Sequence, residues 1–499
     1  MKKYIHLFLI TGMLFLPVFI SCSDDFVETK PAYSIDSENY FNSKADYDDA
    51  LIAAYDLLQS SYVNVILGEI ASDNTLAGGE SPTDVIGFQQ VDDMIHTPVN
   101  SNLKDIWNWM FAGVQRTNYI LEFKDKTDFE GKAQIIAETR FLRAYYQFEL
   151  VKWFGGIPMK GDARFKLGDE TKIPRSSVSE VYASIEADLT FAIANLSPTA
   201  AQKGRVTKGA AQALLGKAYL YQNKFTQAAT VLESLIGSGK YSLQTDYNTI
   251  FEADGENGPE SVFEVQYTDV EGAGFGCLQC SEGNVAVGFS GVRNFSGPLF
   301  SSGFSFNIPT QESANAFEVG DKRKDVAILD IAAFAAANTA YDNGNGVTYG
   351  KANEDTGYFN KKYLPRKRSA DAAGDLNLTN PNNYRAIRYA DVLLMAAEAY
   401  NRGGIDDGKA RGYLNEVRKR AFGDTNHNIA ASGAALTDFI LAERRVELFG
   451  EGHRFFDLVR TGKAVGKIPG FKANKNELFP IPIEEIQFAN GNWQQNPGY

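Results

Sequence analysis

Apolar side chains three and four positions apart recur in long runs, and that spacing commits most of the chain to amphipathic helices. Phe141, Ala144, Tyr145, Phe148 and Val151 fall on one such face. Ala211, Leu214, Leu215, Ala218 and Tyr219 fall on a second, and Tyr389, Val392, Leu393, Ala396, Ala397 and Tyr400 on a third. The helices come in pairs. Leu215, Gly216, Tyr219, Ala228, Leu232, Leu235 and Lys240 reproduce most of the tetratricopeptide spacing, with Gln212 where a large apolar residue is usual. Small Gly216 and Ala228 let two antiparallel helices approach, and larger residues fill the space around them. Tyr400, Ala410, Leu414 and Val417 repeat the idea with a longer turn. Stacked pairs bury a continuous core and leave one face open. The expected fold class is mainly α: a tetratricopeptide-like helical repeat scaffold with a loop-rich insertion containing short β-strands.

The scaffold is expected over about 38–240 and 381–499, with the variable insertion over about 242–380. That middle stretch is rich in Gly and Asn, with alternating runs such as Ser261, Phe263, Val265 and Tyr267. Loops of this kind carry binding residues more often than scaffold helices do. One scaffold helix ends at Gly155 and Gly156, and Pro158 prevents its resumption. Arg140 and Arg143 sit among Phe141, Tyr145 and Tyr146, where a guanidinium fork can stack and pair inside a packed bundle. No long linker divides residues 22–499, which read as one binding unit.

The N-terminus has Lys2 and Lys3, an apolar run over 4–20, then Ser21 and Cys22. This is the pattern of a secretory leader, removed as residues 1–21. The run falls short of the roughly 20 residues a membrane-crossing helix needs, and Gly12 and Pro17 interrupt it. Ser21 and Cys22 after Phe19 and Ile20 resemble a bacterial lipobox, with Phe19 where Leu is usual. Lipidation at Cys22 would hold the mature chain on a membrane, at about 0.8 kcal/mol per buried methylene. Ser23, Asp24 and Asp25 then resemble the acidic signal that sends Bacteroidetes lipoproteins to the outer cell face.

The remaining cysteines, Cys277 and Cys280, follow a Gly-rich stretch with no second Cys pair to complete a zinc site. They read as a local disulfide or as two inert thiols, and no metal or cofactor is expected. The net charge of −13 carries no basic patch of the nucleic-acid type. Glu443 and Glu447 are four apart on one helix face, as are His453 and Asp457 in spacing. An acid/base pair is conceivable there. Arg444, Arg445 and Arg454 crowd the same segment, however, and favour ionised carboxylates. An ion network is the expected reading, and no catalytic residue is assigned. No phosphate loop, zinc-helix motif or nucleophile elbow is present.

Four blocks together resemble the SusD/RagB family of Bacteroidetes nutrient-binding lipoproteins: residues 137–158, 384–400, 443–460, and the close over 479–486 and 495–499. The resemblance implies a non-enzymatic, surface-exposed subunit in the outer membrane. It would capture oligosaccharides and deliver them to a SusC-like, TonB-dependent transporter. Some relatives handle peptides, which leaves a peptide lid as the second reading and a helical glycosidase using Glu443 or Glu447 as the third. Sugar binding wants flat rings and polar partners. Trp107, Trp109 and Trp153 fall in the helical scaffold, and Trp493 lies near the C-terminal close. The candidate ligand residues are therefore Phe88, Phe275, Phe289 and Phe295, with Asp73, Asn74, Gln89 and Arg293 as polar partners.

Overall fold

The computed structural model describes residues 39–272, 274–369 and 371–499. The leader and Cys22 lie outside the described residues. The first helix, α1 (Lys44–Asp56), opens with a capping box in which Ser43 and Asp46 satisfy each other's backbone N–H. After α2 (Tyr62–Ile70), β1 (Thr75–Gly78) and α3 (Ile86–Asp92) comes the long α4 (Ser101–Glu122). Asn100 caps α4 by accepting from the N–H groups of Asn102 and Leu103 at 3.1 and 3.0 Å. The next helix, α5 (Lys132–Phe154), stops at Gly155, whose φ of 73° suits a residue without Cβ. α6 (Val178–Asn195) follows, again with a capping box, from Ser177 and Glu180.

The tetratricopeptide-like pair is α7 (Lys208–Tyr221) and α8 (Phe225–Ile236). A Cβ on Gly216 would sit 2.5 Å from Cδ2 of buried Leu232, so the approach of the two helices depends on that glycine. Gln212, the departure from the apolar pattern, is buried and donates to Ser234 Oγ at 3.1 Å. Gly216→Ala should lower stability by about 1 kcal/mol net, because overpacking of about 1–3 kcal/mol outweighs the roughly 1 kcal/mol gained in helix propensity. Chemical denaturation with an unchanged slope is the measurement.

The second pair continues the stack. α10 (Tyr389–Arg402) packs against α8, α11 (Asp407–Phe422) against α10, and α12 (Gly433–Glu447) against both. α13 (Arg454–Arg460) and α14 (Ile483–Phe488) close the chain. One apolar core runs through these helices, as a repeat stack requires.

The variable region is more deeply tied to the scaffold than an insertion between helices would be. β2 (Ser261–Val265) pairs antiparallel with β6 (Tyr384–Arg388), so a single ladder closes both ends of the segment between them. β3 (Phe306–Pro309) pairs with β1 of the scaffold, Thr75 opposite Pro309 and Gly78 opposite Phe306. β4 (Ile328–Asp330) and β5 (Tyr358–Asn360) form a third ribbon over a small second core that includes Phe295, Phe300 and Leu329. A short helix, α9 (Val285–Ser290), also lies within this region.

Candidate functional site

Three loops meet where β1 ends. Gly78 and Gly79 turn the chain out of β1 with φ of 73° and 86°, a conformation that favours glycine. Arg293 then ties the following loop down. Its guanidinium reaches Glu80 at 3.2 Å and Asp84 at 3.3 Å, and donates to the Phe304 carbonyl at 3.0 Å. The Arg293 carbonyl accepts from Gly350 N–H at 2.7 Å, and Asn353 N–H donates to Gly79 at 2.8 Å. The loops near 80, 293 and 350 therefore form one stitched surface.

A run of rings leads out of the interior to this surface. Phe88 and Phe289 are 5.8 Å apart, Phe289 and Phe304 are 5.7 Å apart, and Phe304 and Phe275 are 5.9 Å apart. Phe88 is 1% exposed and Phe275 60%. Cys277 and Cys280 form a disulfide, which closes the turn directly after Phe275. Of the two readings left open by the sequence, the disulfide is the one found. A second loop runs alongside, joined by the Ala373 N–H to the Asp269 carbonyl at 2.8 Å. It lies over α9 so closely that a Cβ on Gly288 would overlap the Asn377 carbonyl. Val270, Phe275 and Leu376 leave large apolar side chains in solvent on these two loops.

The eight candidate residues separate into distinct environments. Phe275 presents its ring to solvent and Arg293 stitches the loop surface. Gln89 is buried, donating to the Gly78 and Asp84 carbonyls at 2.9 and 3.2 Å. Phe88 and Phe289 pack inside the main core, and Phe295 lies in the second core, its ring 6.2 Å from Phe334. Asp73 and Asn74 are remote partners of the C-terminal helices. Asp73 accepts from Arg454 at 2.7 and 2.8 Å, and Asn74 from Arg445 at 2.9 Å. Sequence reasoning passed over Phe304, Val270 and Leu376. The available signal was a single apolar residue between polar neighbours, as in Asp269, Val270, Glu271 and again in Asp375, Leu376, Asn377.

Residues 25–220 match the sequence family described as starch-binding associating with outer membrane, and residues 226–499 match the SusD family. The chain belongs to the SusD family. It is 29% identical to SusD-like protein P38 and 26% identical to SusD-like protein P2, both of Formosa agariphila, over the full length of each chain. Among solved structures it resembles a laminarin binding SusD-like protein at 33% identity and a TM-score of 0.83, covering 92% of this chain and 100% of the other. Surface glycan-binding protein A from Bacteroides thetaiotaomicron, in complex with laminarihexaose, aligns at 27% identity and a TM-score of 0.80, covering 91% and 99%.

The blocks that carry the SusD resemblance are interior. Arg143 holds buried Asp188 through two bonds of 2.7 and 2.9 Å, and Arg140 lies over the Phe191 ring at 4.7 Å. Glu447 is wholly buried and meets Arg388 at 2.8 Å, Arg420 at 2.6 Å and Arg323 at 2.8 Å. Glu443 meets Arg323 at 2.6 Å and Arg418 at 2.7 Å. Burial pushes the Glu447 carboxyl up, but Arg420, Arg388 and Arg323 overcome it and hold it well below the usual range. A glycosidase acid needs a raised pKa, the opposite of what Glu447 has, and with both carboxylates taken up by arginines the pair is an ion network. The Asp457 carboxylate is occupied by Arg444 and Arg460 at 2.8 and 2.7 Å, leaving little for a metal beside His453.

This SusD-family interior sets an acid limit. Asp391 and Asp457 are also held well below the usual range, burial being overcome by Lys217 and Arg444 at the first and by Arg444 and Arg460 at the second. Depressed carboxyls contribute stability that is full above their unfolded values near pH 4 and is lost as pH falls. Burial also lowers His453 to about 3 and His96 to about 4, so the unfolded chain gains those protons first. Glu69 and Asp92, raised to about 7 mainly by burial, act in the opposite sense between neutral pH and roughly 4, then saturate. Steep unfolding below about pH 4 is the expected result of a circular-dichroism titration. Stability unchanged from neutrality down to pH 3 would contradict it.

Proposed function

We propose that this chain captures an oligosaccharide outside the cell on its loop face and passes it to a SusC-like, TonB-dependent outer-membrane transporter. Lipid on Cys22 tethers it to the outer leaflet, facing outward. Phe275 is the stacking platform, and Arg293, Glu80 and Asp84 border it with hydrogen-bonding groups. The observation that carries this reading is the fold shared over 92% of the chain with a laminarin binding SusD-like protein. A laminarin-type glucan is therefore the first ligand to test. Phe275 supports the choice of face, because its 60% exposed ring stands on a disulfide-closed turn with the exposed apolar side chains of Val270 and Leu376 on the same two loops, and grouped apolar exposure marks interaction sites.

Calorimetry of the mature chain against a hexasaccharide panel, with casein digests as the peptide arm, tests this. Saturable binding to a glycan in the micromolar range, with the sugar recovered intact, is expected. Cleaved sugar, or heat from the peptides alone, would overturn it.

A further inference from the structure

A cavity of about 390 Å³ lies away from the loop face, among α4, the segment near 165 and the C-terminal segment. That volume is within the ~300–1,000 Å³ range of small-ligand sites. Trp107 and Trp493, otherwise buried, line it beneath half-buried Phe111 and Phe165. Trp107 and Phe111 are 4.6 Å apart, and Phe111 and Phe165 6.2 Å at nearly a right angle.

The wall at 165–173, loop with a single helical turn at Asp169–Thr171, is held in place by side chains. Gln115 donates to the Phe165 carbonyl at 3.0 Å and accepts from its N–H at 2.8 Å. Asn492 donates to the Glu170 and Ile173 carbonyls at 2.9 Å each, and the Trp493 indole N–H to Ile173 at 2.8 Å. A site fixed in advance loses little ordering entropy on binding.

Its polar groups differ from the ion networks of the interior. There Asp188, Glu398, Glu443, Glu447 and Asp457 all face arginines. Here Glu170 and Glu485 line the cavity, and neither forms an ion pair among the described residues. Lys104 goes to Glu484 at 2.7 Å, and Lys160 goes to Asp169. Burial raises the Glu485 carboxyl, and a hydrogen bond from Trp107 works against that. Lys166 stands exposed at the mouth. Glu170 accepts from the Gly168 N–H at 2.9 and 3.2 Å and keeps further lone pairs, and rings set at angles beside such acceptors fit a group with apolar faces and a rim of O–H donors.

We propose that this cavity is a second saccharide site, which takes one pyranose ring against Phe111 and Phe165 with its hydroxyls donated to Glu485 and Glu170. This goes beyond capture on the loop face and predicts that one chain holds two points of a glycan, or two glycans.

Tryptophan emission separates the two sites. All four tryptophans lie away from the loop face, Trp107 and Trp109 in α4, Trp153 in α5 and Trp493 near the C-terminal close. Titration with laminari-, malto- and cellohexaose should give a saturable emission change with at least one sugar. The change should persist in Phe275→Ala and need at least tenfold more sugar in Phe165→Ala. Glu485→Gln, which keeps the shape, should weaken it several-fold and serves if Phe165→Ala does not fold. No emission change with any sugar, or one lost in Phe275→Ala and kept in Phe165→Ala and Glu485→Gln, would overturn the second site. Calorimetric heat abolished by Phe275→Ala alone would then leave the loop-face reading standing, whereas heat unaffected by it would remove that reading instead.

Discussion

Glu447→Ala should cost about 3–5 kcal/mol of folding stability, because it strands buried cations with no counter-charge. Arg388, Arg420 and Arg323 converge on this one carboxylate, and Arg388 and Arg323 are each 1% exposed. None of the three can turn to water without opening the junction of β6, α11 and α12. Glu447→Gln keeps the volume and two hydrogen-bonding atoms but not the charge. It should lose most of the same stability if charge is what matters, and little if packing is. Urea denaturation of the two variants against the parent decides this.

Phe275→Ala should weaken glycan binding about tenfold or more. A sugar face covering roughly 60–80 Å² of ring gives about 1.5–2 kcal/mol at ~25 cal/mol/Å², and about 1.4 kcal/mol is a factor of ten. Phe275→Trp should keep or raise affinity, which separates stacking from a loss of loop structure. Folding stability should hardly move, since the ring is mostly in solvent and its turn is closed by Cys277 and Cys280. Affinity unchanged in Phe275→Ala would remove the platform from the account.

The helical scaffold was legible because a periodic apolar face records its own burial. The spacing around Leu215 and Leu232 predicts a helical pair, and the glycine between them predicts how close the pair comes. The ladder of β1 with β3 was not legible. Four residues, Thr75 to Gly78, carry no alternation long enough to read, and their partners lie over two hundred positions away. The site suffered for the same reason. Phe88 and Phe275 look alike as phenylalanines near glycine, and only long-range pairing puts one under the surface and the other on it. Asp73 and Asn74 stand in a polar run that resembles an open loop. The arginine that claims Asp73 is 381 residues away, and no local pattern announces it. The ion network around the carboxylates of α12 was legible from the arginines crowded beside them, but its partners were not: Glu447 is held by Arg388, Arg420 and Arg323, while Arg444 and Arg454 serve Asp391, Asp457 and Asp73.

A crystal structure of the mature chain soaked with laminarihexaose is the most direct test of capture on the loop face. The account predicts a glucosyl ring stacked on Phe275, with hydroxyls bonded to the groups around Arg293 and Asp84. Hexaose bound with the Phe275 ring left bare would contradict it.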